Sequence, residues 1–306
     1  MNDLPVIDIA ALASGDAVAQ RALAQQIGRA CREVGFFVIT GHGVPDALIE
    51  ATFAESARLF AQPVERKRDL SIDKLGSNRG YVGLGVEALD EKTAADQKEA
   101  FNLIWTDRGG TRPDNAWPAL DGFESVVQRY FDAVFAVASR LHIAFALDLG
   151  LPGDFFADKI DRPLATLRLL HYPARAEAAT DGQVGAGTHT DYGNVTLLAT
   201  DGVAGLQVQR RDGGWVDAPA LPGAFICNIG DCLMRWTNDV YVSTPHRVRQ
   251  PEAERYSIAF FLDPNPDAVV SAIPSCVPDG ESPRYAPITT GEYLAQRFAA
   301  TYSKRG

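Results

Sequence analysis

The sequence predicts an α+β protein with a β core, a sandwich or a barrel, and helices that flank it. Beyond Pro152, seven short β-type segments follow one another at nearly regular spacing, which is typical of such a core. The longest amphipathic pattern, residues 123–149, is helical, and the first hundred residues mix both periodicities. The composition, 46% hydrophobic and 22% charged over 306 residues, is that of a globular protein and excludes fibrous and disordered classes.

The first elements alternate between strand and helix. Residues 5–9 predict a short strand, and residues 16–34 predict an amphipathic helix whose apolar stripe includes Val18. The apolar run 35–43 is bounded by glycines and predicts a buried strand. A second helix is expected to begin at Pro45, since proline is favoured in the first helical turn.

A glycine-rich stretch separates these elements from the longest helix. Residues 69–117 surround one predicted strand at 100–104, and long loops of this kind often carry binding residues. Residues 123–149 predict a helix that is closed by Gly150 and suited to brace a sheet.

Short strands dominate the next part of the chain. They are predicted at residues 165–171, 195–200, 205–209, 215–218, 225–229, 247–249 and 256–262. A proline-rich tail, 264–287, predicts a wrapping segment, and residues 291–302 predict a last short helix.

Charge and cysteine usage limit the partners and the compartment. Lys+Arg 29 against Asp+Glu 39 gives a net charge of -10, so we expect neither nucleic acid nor a membrane surface as a partner. The four cysteines form no C-x-x-C pair, and we expect buried, reduced thiols. No signal peptide and no run of about eighteen apolar residues is found, so a cytoplasmic protein is expected.

Two of the five histidines have neighbours suited to a metal site. His189 and Asp191 are two positions apart, so on extended backbone their side chains project to the same side. His246 begins another predicted strand, and adjacent strands would bring it to the same ion. Two imidazoles and one carboxylate leave coordination positions open, as in non-haem Fe(II) oxygenases and unlike closed zinc sites. Structural roles are expected for His42 and His142.

A basic and a hydroxyl side chain follow this cluster. Arg255 comes nine residues after His246 and shares a strand face with Ser257. A guanidinium binds a carboxylate through two parallel hydrogen bonds, and the hydroxyl adds a further donor. The pair therefore suits the distal carboxylate of a dicarboxylate whose other end binds metal, a description that 2-oxoglutarate meets. Fe(II), the Asp191 carboxylate and a metal-bound carboxylate sum to zero, which leaves the distal carboxylate for Arg255.

Several motifs occur in a fixed order along the chain. They are PVID at 5–8, GFFVITGHGV at 35–44, HTD at 189–191, NIGD at 228–231, His246, and RYS at 255–257. With these motifs the sequence resembles, over nearly its whole length, the isopenicillin N synthase-like branch of the Fe(II)- and 2-oxoglutarate-dependent dioxygenases. Tyr172 matches a tyrosine that in many members offers its hydroxyl to the distal carboxylate, whereas Leu170 replaces the asparagine of plant relatives. Asn228 and Asp231 are expected to shape a turn.

The resemblance implies a double-stranded β-helix, or jelly-roll, core with flanking helices. It implies an oxidoreductase that uses Fe(II), O₂ and the cosubstrate 2-oxoglutarate to hydroxylate, desaturate or cyclise a small soluble substrate, with release of succinate and CO₂. The implied metal ligands are His189, Asp191 and His246, and the implied 2-oxoglutarate ligands are Arg255, Ser257 and Tyr172. The implied parts are an N-terminal region with substrate loops at 1–118, a bracing helix at 119–160, the core at 161–265, and a C-terminal wrapping segment and helix at 266–306.

Three alternatives remain open at this point: a 2-oxoglutarate-independent oxidase of the same fold, an enzyme that fragments 2-oxoglutarate to ethylene, and a non-catalytic ligand-binding protein. Succinate formation, headspace ethylene and oxygen consumption would separate them. The sequence leaves the substrate and the oligomeric state undetermined.

A substrate site is expected between the barrel mouth and the glycine-rich segment 77–81. Arg79 lies beside glycines that let backbone approach a ligand, and in similar enzymes the corresponding loop reaches the primary substrate. If Arg79 contacts the substrate, an anionic group on it is favoured. The other predicted substrate contacts and walls are Tyr81, Phe101, Tyr293 and Phe298.

Overall fold

The computed structural model describes residues 4–90, 95–107, 110, 112–174 and 184–302, with side chains up to residue 297. The N-terminal part contains β1 (Val6–Asp8), α1 (Ala17–Glu33), β2 (Phe36–Thr40), α2 (Asp46–Phe60), α3 (Val64–Arg68), α4 (Ile72–Leu75), β3 (Gly80–Val82) and β4 (Glu99–Ile104). The remainder contains α5 (Phe123–Asp148), β5 (Thr166–Tyr172), β6 (Val184–His189), β7 (Val195–Thr200), β8 (Leu206–Gln209), β9 (Trp215–Asp217), β10 (Phe225–Ile229), α6 (Asp231–Trp236), β11 (His246–Arg249), β12 (Arg255–Leu262), β13 (Val269–Val270), β14 (Ile288–Thr289) and α7 (Thr290–Tyr302).

Two sheets pack against each other and form the β core. The major sheet has the strand order β1-β2-β10-β7-β12-β5-β4-β3, and the minor sheet has the order β6-β11-β8-β9. Apolar side chains from both sheets form one buried cluster, which includes Phe36, Leu170 and Ile226 of the major sheet and Val208 and Val248 of the minor sheet. The predicted β core is therefore confirmed.

The helices α1, α2 and α5 pack together, and α2 and α5 contact the major sheet. Along α5, buried residues recur every three or four positions, as at Val127, Tyr130, Val134 and Leu141. Phe131 of this helix meets Phe260 of β12 edge to face. The apolar stripe thus braces the sheet, as the sequence predicted.

Helix α5 is long and apolar enough to cross a membrane by length and composition alone. It contains no uninterrupted apolar run of about eighteen residues, as the sequence analysis found, because Asp132 and Arg140 interrupt the stretch. In the structure 56% of the apolar window is buried inside the protein, as in the core helix of a globular domain.

Helix α1 begins at a side-chain cap. Asp16 accepts hydrogen bonds from the backbone N–H groups of Val18 and Ala19, which have no partner within the helix. Val18 was predicted to face the core, but it is 79% exposed because the first turn extends beyond the packed surface.

Several elements were not predicted, and β6 matters most for the site. Its sequence, VGAGTH, contains two glycines, which weaken a strand pattern. Glycine is needed at 187, where an ideal Cβ would lie 2.6 Å from the Asp90 Cβ. The six-residue α6 is too short to show a period in sequence.

The buried polar groups predicted to be structural have backbone partners. His42 Nε2 lies 2.7 Å from the Gly223 carbonyl oxygen, and His142 Nδ1 lies 2.8 Å from that of Ala138. The cysteines, Cys31, Cys227, Cys232 and Cys276, are free and buried, as expected. The cytoplasmic location stays a prediction.

Candidate active site

Three side chains that the sequence predicted as metal ligands lie together at one end of the minor sheet. His189 is the last residue of β6 and pairs directly with His246, the first residue of β11. Asp191 follows two positions after His189, and its Oδ1 lies 3.7 Å from His189 Nε2 and 3.6 Å from His246 Nε2. One ligand atom from each residue lies within 4.8 Å of the others, so the three side chains could hold one metal ion.

Backbone carbonyls fix the orientation of both imidazoles. His189 Nδ1 lies 2.8 Å from the Gly187 carbonyl oxygen, and His246 Nδ1 lies 3.1 Å from that of Thr244. Because a carbonyl oxygen only accepts, each Nδ1 carries the hydrogen and donates it. In the neutral form of each imidazole, Nε2 then presents its lone pair on the side of Asp191, as a metal ligand requires.

The Asp191 carboxylate is held by two side chains that the sequence analysis did not predict for the site. Thr196 on β7 and Asn228 on β10 both donate hydrogen bonds to Asp191 Oδ2, with a distance of 2.8 Å from Asn228 Nδ2. Oδ1 is left on the side of the imidazoles. The prediction of a turn at Asn228 was wrong, because this residue lies within strand β10. Asp231 begins α6, and its backbone N–H donates a hydrogen bond to the Asp191 carbonyl oxygen.

Burial and mutual charge set the protonation states of this group. Burial lowers the pKa of His189 to about 3, and the neighbouring His246 contributes. Although burial opposes ionisation, the two imidazoles hold the pKa of Asp191 well below its usual range. Burial also disfavours charge on His246, but the Asp191 carboxylate outweighs it and raises the pKa of His246. A neutral His189 beside an ionised Asp191 is ready for metal binding.

The donor set fits a divalent first-row metal ion. Imidazole nitrogen suits iron and zinc, and structural zinc sites have four protein ligands. In the described part of the chain, the group contains no fourth His, Cys, Asp or Glu. Two imidazoles and one carboxylate therefore match the open Fe(II) centre that the sequence predicted.

An inner cavity lies between the two sheets, next to the metal-ligand group. Arg255 and Ser257 line it from β12, and Tyr172 lines it from the position paired with Arg255 on β5. The Arg255 side chain donates from Nε to the Val203 carbonyl oxygen at 3.1 Å and from Nη1 to Ser257 Oγ at 3.3 Å. Its guanidinium carbon lies 4.8 Å from the centre of the Tyr172 ring.

Arg255 is a buried cation that has no carboxylate partner among the described residues. A desolvated guanidinium without a counterion is costly, so the inner cavity suits a ligand that brings a carboxylate. A dicarboxylate such as 2-oxoglutarate meets this requirement. The Tyr172 ring packs on the guanidinium and holds it in place.

An outer cavity adjoins the same metal-ligand group. His189, Asp191, Arg168, Leu89 and Phe261 line both cavities. The outer cavity is further lined by Asn78, Glu87, Asn102, Thr166, Thr190, Tyr192, Gly193, Asp263 and Leu294. Ligands in the two cavities would therefore meet at the metal-ligand group.

A buried network of charges forms the wall shared by the two cavities. Both Oε atoms of Glu87 lie 3.0 Å from Arg168 Nη2, and Glu87 Oε2 lies 3.4 Å from Lys98 Nζ. Lys98 also pairs with Asp96, and Arg168 Nε donates to Asn102 Oδ1 at 2.9 Å. Sequence reasoning missed this network because none of its members belongs to a motif. The sequence feature that could have revealed the network is Arg168, a charged residue within the otherwise apolar strand β5.

The structure places two predicted substrate residues away from both cavities. Phe101 is fully buried in the core, where its ring lies edge-on to Phe123. Tyr81 is buried and donates its hydroxyl to Glu99 Oε2 at 2.5 Å. Alternate residues of a strand face opposite sides, so Asn102 of β4 lines the outer cavity and Phe101 faces the helices.

The remaining predicted substrate residues are also displaced from the cavity lining. Arg79 is half-buried and lines neither cavity, whereas its neighbour Asn78 lines the outer one. In α7, Leu294 and not Tyr293 lines the outer cavity, because one residue along a helix is a rotation of about 100°. The side chain of Phe298 lies outside the described residues.

Fold and site together define a class of protein: a two-sheet non-haem iron oxygenase with a buried arginine beside the metal-ligand group. The comparisons with known proteins agree. Residues 4–120 match the family model described as "non-haem dioxygenase in morphine synthesis N-terminal", and residues 163–264 match that of the "2OG-Fe(II) oxygenase superfamily". The chain therefore belongs to the 2-oxoglutarate-Fe(II) oxygenase superfamily.

Individual relatives cover nearly the whole chain. The 2-oxoglutarate-Fe(II) type oxidoreductase hxnY of Emericella nidulans is 35% identical, over 98% of this chain and 90% of the relative. Solved structures of a full-length protein from Neurospora crassa are similar with 34% identity. Its complex with alpha-KG, which is 2-oxoglutarate, has a TM-score of 0.91 and covers 98% of this chain and 96% of the fungal chain. Its complex with alpha-KG and thymine has a TM-score of 0.90 and covers 98% and 97%.

These similarities confirm the predicted family, the jelly-roll core and the cofactors. The protein is an Fe(II)- and 2-oxoglutarate-dependent dioxygenase, an oxidoreductase that oxidises a small organic substrate with release of succinate and CO₂. The alternatives left open by the sequence are not favoured. The four-part division with boundaries at 118, 160 and 265 stays a prediction.

Proposed function

We propose that this dioxygenase oxidises a small polar molecule in the outer cavity while 2-oxoglutarate occupies the inner cavity. The observation that carries the proposal is that His189 and Asp191 line both cavities. A substrate C–H bond in one cavity and the cosubstrate in the other would both lie next to the metal-ligand group. Such placement is the main contribution of a protein to cofactor chemistry.

Specific roles follow for the residues of the inner cavity. We propose that His189, Asp191 and His246 hold Fe(II), which when bound supplies open coordination positions and redox chemistry. Arg255 and Ser257 bind and orient the distal carboxylate of 2-oxoglutarate.

Apolar side chains of the inner cavity exclude water from this cosubstrate. Phe36, Leu170, Leu198 and Val248 line it from both sheets. Exclusion of water strengthens the pairing between Arg255 and a carboxylate.

We propose pyrimidine bases as the substrate class. The Neurospora crassa protein, which is similar over 98% of this chain, has been crystallised with thymine. The outer cavity offers the polar groups that a small heterocycle requires, from Asn78, Asn102 and Thr190, beside the apolar Leu294.

The test is formation of succinate from 2-oxoglutarate by the purified protein with Fe(II), O₂ and thymine. We expect thymine to increase succinate formation, and we expect Arg255→Leu to raise the 2-oxoglutarate concentration needed for half-maximal rate by roughly 30-fold or more, because a desolvated carboxylate loses its partner. Arg255→Lys should recover only part of this loss, since an ammonium cannot form the same fork.

Arg249→Leu is the matched control, because Arg249 lies on β11 with a largely exposed side chain. Normal 2-oxoglutarate dependence in Arg255→Leu would contradict the cosubstrate role. Succinate formation that thymine and other pyrimidines leave unchanged would contradict the substrate class.

A further inference from the structure

An acidic side chain, Asp263, lines the outer cavity. Asp263 directly follows β12, and it lines the same space as His189 and Asp191. Among the residues that the structure describes, no cation or hydrogen-bond donor pairs with its carboxyl oxygens. The roles proposed above make no use of this group.

The surrounding backbone holds Asp263 in this position. The Asp263 carbonyl oxygen accepts a hydrogen bond from Leu164 N–H at 3.2 Å, and the preceding Leu262 carbonyl accepts one from Asn194 N–H at 3.1 Å. An ideal Cβ on Gly193 would lie 1.6 Å from Asp263 Oδ1, so any other residue at 193 would displace the carboxyl group. Hydrogen bonds from two segments therefore hold the backbone at Asp263, and its carboxyl group lies against Gly193.

The other charges on the wall of the outer cavity are paired. Glu87 pairs with Arg168, and Asp191 faces the two imidazoles. Asp263 is the acid of this cavity without such a partner in the described part of the chain.

We infer that Asp263 recognises the substrate and selects molecules that present a nitrogen-bound hydrogen to it. This inference rests on the proposed function and specifies the substrate class further. A carboxylate accepts a charge-assisted hydrogen bond from a lactam N–H or an ammonium group, and it repels a carboxylate. The outer cavity therefore favours a neutral or cationic substrate, whereas the sequence prediction for Arg79 favoured an anionic one.

Ligand binding under anaerobic conditions tests the inference, because no turnover takes place without O₂. Calorimetric titration of the protein loaded with Fe(II) and 2-oxoglutarate uses four probes: thymine, 1,3-dimethylthymine, pyrrolidine and cyclopentanecarboxylate. The first has N–H donors, the second lacks them, the third is a cation and the fourth an anion. We expect at least one of the two N–H compounds to bind roughly 10-fold or more tightly than the methylated base and the anion.

Two substitutions then remove the carboxylate while keeping its size. Both Asp263→Asn and Asp263→Leu should reduce the preference for N–H compounds. The loss should be larger in Asp263→Leu, where the preference should fall to about 3-fold or less. Asp279→Asn, the same change at an exposed position, should leave the preference intact. An unchanged preference in Asp263→Leu, tighter binding of the anion to the wild-type protein, or failure of both N–H compounds to bind at millimolar concentration would each overturn the inference.

The same titrations separate this inference from the proposed function. Affinity for 2-oxoglutarate, measured first in each variant, reports on Arg255 and the inner cavity and should not change with Asp263. If wild type fails to bind 2-oxoglutarate, the proposed function fails. If 2-oxoglutarate binds normally and the N–H preference is absent, only the role of Asp263 is lost.

Discussion

At the scale of single residues, Asp191 shows how this site prepares a ligand for metal. One carboxylate oxygen accepts two hydrogen bonds, from Thr196 and Asn228, and the other lies less than 4 Å from both imidazoles. A carboxylate fixed in this way cannot rotate its second oxygen toward the ion without breaking both bonds. Outer hydrogen bonds of this kind commonly contribute roughly 10- to 100-fold to metal affinity.

Removing the Thr196 hydroxyl should weaken metal binding. We expect Thr196→Val, which keeps the shape of the side chain, to lower Fe(II) affinity roughly 10-fold or more. The measurement is anaerobic titration with Fe(II). Thr52→Val is the control, because Thr52 is also fully buried but bonds a backbone carbonyl within α2. Equal affinity in wild type and Thr196→Val would show that Asn228 alone positions the carboxylate.

The sequence predicted the three residues that lie together as the metal-ligand group, but not these supporting residues. His189 and Asp191 are two positions apart in the sequence. His246 was predicted from an expected pairing of adjacent strands and from the order of the family motifs. Asn228 is 37 positions from Asp191, and the contact exists only because β10 pairs with β7. Strand pairing is a property of the folded chain, and the residues around Asn228 do not indicate which side chain it contacts.

At the scale of elements, the network of Glu87, Asp96, Lys98 and Arg168 joins the segments before β4 to β5. Asp96 also accepts a hydrogen bond from Gly187 N–H at 2.9 Å, so the network reaches β6, which ends at His189. Strand β6 itself was not predicted, because its glycines hide the strand pattern. One of those glycines is required by packing, since Asp90 leaves no room for a side chain at 187.

This network should make the free energy of unfolding depend on pH. Arg168 and Lys98 outweigh burial and lower the pKa of Glu87 from 4.5 to about 2. Because the folded pKa is depressed, the contribution of Glu87 is fully present above the unfolded value of about 4.5 and is lost as pH falls toward 2. The shift corresponds to stabilisation on the order of 3 kcal/mol at about pH 7, of which more than half is lost by about pH 3.

The measurement is urea unfolding of wild type and Glu87→Gln between pH 7 and pH 3. The difference in unfolding free energy should be largest at pH 7 and shrink with acid. Asp69→Asn removes a carboxylate from an exposed ion pair with Lys74 and should change stability by less than about 1 kcal/mol throughout. A difference between wild type and Glu87→Gln that is independent of pH would contradict the assigned pKa.

At the scale of the whole molecule, the two sheets contribute different parts of the site. His189 and His246 belong to the minor sheet, whereas Arg255 and Ser257 belong to the major sheet. The order of motifs predicted that these parts exist, and the family resemblance predicted the jelly-roll that unites them. The lining of the outer cavity was not predictable, because it combines loops, α7 and several strands whose side chains alternate between cavity and core.

A cosubstrate that binds the metal at one end and Arg255 at the other connects both sheets. Ligands that bind only the native state stabilise it by about 2.7 kcal/mol at a concentration roughly 100 times their dissociation constant. We therefore expect Fe(II) alone to raise the unfolding temperature under anaerobic conditions, and 2-oxoglutarate to raise it further. Calorimetry of the protein with neither ligand, with Fe(II), and with both measures the two increments.

Two variants should each lose a different part of these increases in unfolding temperature. His246→Ala should lose the increment from Fe(II) and most of that from 2-oxoglutarate, because the metal-binding end of the cosubstrate then has no partner. Arg255→Leu should keep the increment from Fe(II) and lose that from 2-oxoglutarate, because the metal-ligand group is intact and only the contact with the major sheet is removed. A full 2-oxoglutarate increment in Arg255→Leu would mean that the cosubstrate is held by the metal-ligand side alone and does not connect the two sheets.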